Sequence, residues 1–115
     1  MLVRLHVHAK DEDELKVHLT PFIEKFDTIV EEVTRSEAEE YWKFEEMFEV
    51  LYECKLHHSV TYADLRAVLQ TVSDHWLELG TGEDKSLLAS KNAEECQFIL
   101  GNVELVRLTQ LSDLL

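Results

Sequence analysis

Met1, Val3, Leu5 and Val7 alternate with Leu2, Arg4, His6 and His8 at the start of the chain. A period of two with one apolar face predicts a strand. In the following DEDELKVHLTPFIEKF, positions Leu15, His18 or Leu19, Phe22, Ile23 and Phe26 recur at helical spacing. Asp11 is placed to cap that helix, and the acids after it suit the positive end of the helix dipole. Pro21 falls inside the pattern. It predicts either a second short helix opening at Thr20-Pro21 or a kink, because proline lacks the amide and crowds the preceding turn. FDTIVEEVT (Phe26 to Thr34) is rich in β-branched residues and predicts a strand.

Residues 37–56, EAEEYWKFEEMFEVLYECKL, carry two periods at once. As a helix, Phe44, Met47, Phe48 and Leu51 form one stripe, with SEAE as a capping box. As a strand from Tyr41, Trp42, Phe44, Glu46, Phe48, Val50, Tyr52, Cys54 and Leu56 share one face. Tyr41, Lys43, Glu45, Met47, Glu49, Leu51, Glu53 and Lys55 share the other. Aromatic and β-branched content favours the strand, joined to the preceding one by RSEAEE as a hairpin connection.

TYADLRAVLQTVSDHWLELG places Tyr62, Leu65, Val68, Leu69, Val72, Trp76 and Leu79 on one helical arc. Thr61 with Asp64 is a cap signal, and Gly80 a C-terminal stop. SLLAS, CQFIL and VELVRL are short apolar runs, the last two separated by the hairpin signal Gly101-Asn102. The order strand, helix, strand, strand, helix, strands predicts an α+β fold. Its expected form is a ferredoxin-like split βαβ sandwich with an extra C-terminal hairpin, a single domain over residues 1–115. Two helices would cover one face of an antiparallel sheet and leave the other open.

Charge changes what that open face means. The 115 residues hold 24 acids against 11 Lys and Arg, a net charge of -13. From Asp27 to Glu53 there are ten acids and two bases, so 2 minus 10 leaves -8 in this segment. Such a balance argues against nucleic acid and anionic membrane surfaces, both of which require clustered cations. The N-terminus lacks the pattern of a signal peptide, and no apolar run reaches membrane-spanning length. A cytoplasmic protein with free thiols is the expectation, Cys54 and Cys96 being in neither zinc nor redox spacing.

Candidate chemistry is sparse. His6 and His8 share one side of a strand and form a weak metal pair without a third ligand nearby in sequence. His57 and His58 fall at an element end, and His75 beside the apolar arc. There is no nucleophile elbow, phosphate loop or electropositive cysteine. No catalytic residue and no cofactor is therefore predicted. The positive signal is the acidic, aromatic-bearing band: Glu31, Glu32, Glu39, Glu40, Tyr41, Glu45, Met47, Glu49, Leu51 and Glu53. Acids around a few large apolar anchors supply the steering and the hold that a basic protein partner requires.

In size, acidity and lack of motifs the chain is similar to bacterial immunity proteins and antitoxins that occlude nuclease toxins. The resemblance implies a small binding protein, monomeric or homodimeric in isolation, that neutralises a basic toxin or nuclease domain. The alternative expectation is a ferredoxin-like metal or small-molecule sensor, or a minor enzyme, dimerising through its open sheet face.

Overall fold

Alternation in the first residues becomes β1 (Leu2–His8), whose Val3, Leu5 and Val7 are buried while Arg4 and His8 are exposed. The computed structural model describes residues 1–41, 45–81, 84–91, 96, 102–111 and 114. Helix α1 (Glu12–Glu24) starts at Asp11, whose carboxylate accepts the Glu14 amide at 2.9 Å. Leu15, Leu19 and Phe22 turn inward. The helix runs through Pro21 without a second start. The Thr20 hydroxyl donates to the Lys16 carbonyl at 3.0 Å in the turn that precedes it.

The segment expected to be a strand from Phe26 instead begins with a turn. Phe26 and Ile29 are buried there, and β2 spans Val30–Glu40. The expected connection RSEAEE therefore belongs to β2, and the chain reverses between Glu40 and Met47. β3 (Met47–Leu56) settles the ambiguous period as a strand, with Phe48, Val50, Tyr52 and Cys54 buried. Glu46, expected on that face, sits in the turn at φ 54. Trp42, Lys43 and Phe44 lie outside the described residues.

Helix α2 (Tyr62–Leu69) opens with a full capping box: the Thr61 amide donates to Asp64 at 2.9 Å and the Asp64 amide to Thr61 at 3.2 Å. It is shorter than its apolar arc predicts. The Trp76 indole folds back and donates to the carbonyls of Leu69 (3.0 Å) and Ser73 (3.2 Å), giving the helix's last turn a partner from outside it. Trp76 is still buried, but from a loop. β4 (Leu77–Leu79) then takes residues expected to be helical. Gly80, expected as a helix stop, holds φ +75 just after β4, where a Cβ would meet the Asp84 carbonyl at 2.6 Å.

β5 (Ser86–Ser90) and β6 (Val103–Thr109) complete a sheet of order β2-β3-β1-β6-β5-β4, antiparallel at every pairing. The architecture is α+β. Of the hairpin expected at Gly101-Asn102, Asn102 precedes β6, while residues 97–101 lie outside the described residues. One hydrophobic cluster joins Leu15, Leu19 and Phe22 of α1 and Leu65, Val68 and Leu69 of α2 to Val3, Leu5, Val7, Val50, Val106 and Leu108 of the sheet. Both helices therefore lie on one face of the sheet. β2, with eleven residues, forms one edge, and β4, with three, forms the other.

Candidate functional site

Residues directly opposite one another in an antiparallel ladder point to the same face, so the register defines what the helix-free face displays. One row runs Glu39, Glu49, His6, Leu105, Ser90 across β2, β3, β1, β6 and β5. A second runs Leu51, Arg4, Arg107, Leu88, Leu77 across β3, β1, β6, β5 and β4. A third contains Thr34, Glu53, Leu2 and Thr109. The face is divided electrically: carboxylates occupy the β2–β3 side, and the Arg4–Arg107 pair stands at the middle. Leucines continue toward β4, where Leu77 is 40% exposed.

Two pairings on this face set like charges directly opposite: Glu39 with Glu49, and Arg4 with Arg107. Such pairs are destabilising in a sheet. Part of the cost at Glu49 is offset by His6, whose Nε2 lies 2.8 Å from the carboxylate. The His6 ring is held by Tyr41, its centroid 4.4 Å away at an interplanar angle of 32°. Among the described residues Glu32, Glu39, Glu40 and Glu53 form no salt bridge, while Glu31 is 3.8 Å from Lys55.

The predicted acids therefore divide. Glu39, Glu49 and Glu53 come together on the open face with Leu51, and Glu32 joins them one step along, opposite Lys55. Glu40 is opposite Phe48, on the helix side of the register. Glu45 is exposed in the turn. Glu31 falls at an irregularity in the ladder between Val30 and Glu32. Met47, expected as an exposed apolar anchor, is 4% exposed. It closes the hairpin, the Tyr41 amide donating to its carbonyl at 2.7 Å.

His6 and His8 do share the open face, but they turn to different carboxylates: His6 to Glu49, His8 to Glu104 at 3.1 Å. Among the described residues no group of three or more His, Cys, Asp and Glu is placed to hold a metal ion. His18, on α1, has its Nε2 2.6 Å from the Asn102 amide nitrogen, a contact in which the amide donates to the ring. His57 and His58 lie in the loop after β3, as their position predicts, and border a cavity of about 450 Å³ with Cys54, Leu56, Val60 and Leu111. Burial pushes the Cys54 thiol up to about 11, which keeps it protonated and unreactive. Cys96 is buried against the Ser73 hydroxyl at 3.1 Å.

No family model, curated protein or solved structure matches this chain. Its site rests on geometry alone. No described helix is long and apolar enough to cross a membrane.

Sequence reasoning missed the Arg4–Arg107 pair. Arg4 was visible on the polar side of the first strand, but the residue opposite it depends on a register between positions 103 apart. It also missed Tyr41 as the support for His6, for the same reason.

Proposed function

We propose that the protein is a small acidic binding protein that neutralises a basic protein partner, as immunity proteins and antitoxins do to nuclease-type toxins. The observation that carries this reading is the placement of Glu39 directly opposite Glu49, with Glu53 on the same face, against which neither described helix packs. A repulsive pair retained on a solvent-facing sheet costs stability in the free protein and is relieved when cations arrive. The apolar hold comes from half-buried Leu51 and from the Tyr41 ring that lies against His6. The mechanism is steric and electrostatic occlusion of a cationic active site. For the fold, the antiparallel order β2-β3-β1-β6 around α1 and α2 supports the ferredoxin-like split βαβ reading, with β4 and β5 as an added hairpin between α2 and the last strand.

The test is retention of proteins from a lysate of the native organism on wild type and on the Glu39→Lys, Glu49→Lys, Glu53→Lys triple variant. Wild type is expected to hold a basic protein that elutes with salt and whose hydrolytic activity it blocks, and the variant to lose it. The same protein retained by both, with the same salt elution, overturns the reading.

A second reading draws on the other half of the face. Arg4 and Arg107 stand beside the acids, and Leu77 and Leu88 continue the row, so the face is electrically complementary to itself. That supports the homodimer alternative, in which the arginines of one copy meet the carboxylates of another. Sedimentation of wild type and Arg107→Glu at matched concentrations separates the two readings. A dimer abolished by the substitution supports the second, and a monomer in both excludes it.

A further inference from the structure

Among the described residues β2 is both the longest strand and a sheet edge, so one side of its backbone is turned away from the described sheet. Long edges of this kind template pairing with other chains, and proteins normally blunt them with charge, bulges or brevity. Here charge and bulges are present. Glu31, Glu32, Glu39 and Glu40 line the strand, and the ladder to β3 shifts between Val30 and Glu32 and between Arg35 and Glu37. Between those shifts, Glu32 to Arg35 pairs in unbroken register.

Protection alone does not account for what lies beside that window. A groove of about 460 Å³ opens between α1 and the helix-side face of β2, lined by Leu19, Ile23, Val33, Tyr52, Arg35 and Lys16. Val33 is opposite Cys54 and Arg35 opposite Tyr52, so both stand on the helix side of the register. Glu32 and Thr34, opposite Lys55 and Glu53, stand on the open side. A strand laid along β2 would alternate its side chains in the same way. One set would enter the groove against Leu19, Ile23 and Val33. The other would lie beside Glu32, Thr34 and Glu39.

Resting on the basic-partner reading for the sign of the segment's charge, we propose that β2 accepts an extended segment of the partner as an added edge strand. That segment alternates apolar residues, seated in the α1–β2 groove, with Lys or Arg on the carboxylate side. Main-chain hydrogen bonds to the edge supply affinity, and the alternating pockets supply selectivity. The acids that deter neutral and acidic strands admit a basic one, so protection and recognition use the same residues.

The experiment uses two synthetic peptides as long as β2: one alternating valine and lysine, the other of identical composition with the lysines in one block. Calorimetry and amide hydrogen exchange are read on the full chain. The alternating peptide is expected to bind at least about tenfold more tightly than the blocked one and to slow exchange within residues 30–40. Ile23→Asp is expected to remove that preference while leaving the blocked peptide's weaker binding unchanged. Val33→Thr, which keeps the strand's β-branching, is expected to reduce the preference if Ile23→Asp disturbs α1. Equal binding of the two peptides, or binding without slowed exchange in β2, overturns strand addition while leaving the acidic-face reading intact. Binding of neither peptide overturns strand addition as well. Loss of partner capture by the Glu39→Lys, Glu49→Lys, Glu53→Lys variant is a separate result, so failure of one idea is distinguishable from failure of the other.

Discussion

At the scale of single residues, Glu39 is the most informative position. It is exposed and directly opposite Glu49, so its charge opposes folding, and no salt bridge of the described residues neutralises it. Glu39→Lys turns a repulsive cross-strand pair into an attractive one. It is expected to raise stability in urea by about 0.5 kcal/mol while weakening capture of the proposed basic partner. A variant that is both less stable and unchanged in binding would remove the case for a functional cost at this pair. Cys54 provides a second residue-level expectation. Its folded-state value is raised from about 9 to about 11 by burial, so the folded protein binds more protons than the unfolded chain between those values. Stability contributed by the neutral thiol is full below pH 9 and is lost as pH rises through 11. Tyr52, also raised by burial, acts in the same direction from pH 10 upward. Urea titrations of wild type and Cys54→Ala at stepped alkaline pH are expected to show a shallower decline in the variant, and iodoacetamide to label Cys54 only as the protein unfolds.

At the scale of elements, the end of α2 shows how a tertiary contact overrides periodicity. Val72, Trp76 and Leu79 continue the apolar arc of Leu65, Val68 and Leu69, and pattern alone extends the helix to Gly80. The helix ends at Leu69, where the Val72 and Ser73 amides and the Trp76 indole all turn back to the Leu69 carbonyl and the indole also reaches the Ser73 carbonyl, so Trp76 is buried from a loop. Trp76→Phe keeps most of the buried ring and deletes the donor. It is expected to cost about 1 to 2 kcal/mol by chemical denaturation followed by circular dichroism, with helix content little changed. In β2 and β3 the period itself was legible, since aromatic and β-branched content favoured a strand and Phe48, Val50, Tyr52 and Cys54 are indeed its buried side. The turn between them was misplaced. RSEAEE is polar enough to read as a loop, yet on an edge strand polar residues are ordinary because one face and one edge meet water.

At the scale of the whole molecule, charge is distributed against the fold's own stability. Ten acids and two bases lie between Asp27 and Glu53, and most of that segment is one hairpin. Screening of this self-repulsion is expected to raise the thermal midpoint by about 4 °C between very low salt and about 0.15 M sodium chloride. The Glu39→Lys, Glu49→Lys, Glu53→Lys variant is expected to lose most of that response. A midpoint insensitive to salt in the wild type would mean that the acids are already neutralised within the fold.

The sequence by itself determined the periods: two-residue alternation at β1, the Asp11 and Thr61 helix starts, the strand character of Phe48 to Cys54, and a strongly acidic segment from Asp27 to Glu53. These are local properties, written in neighbouring residues and their side-chain chemistry. Only the tertiary structure decided which residues stand side by side. Glu39 meets Glu49 across a ten-residue separation, His6 meets Glu49 across 43, and Arg4 meets Arg107 across 103. Register depends on the packing of two helices against one face of the sheet, which fixes every strand's inward side at once. For that reason the acids could be counted from the chain, but their division into an open-face row, a turn and a sheet edge beside the α1 groove could not.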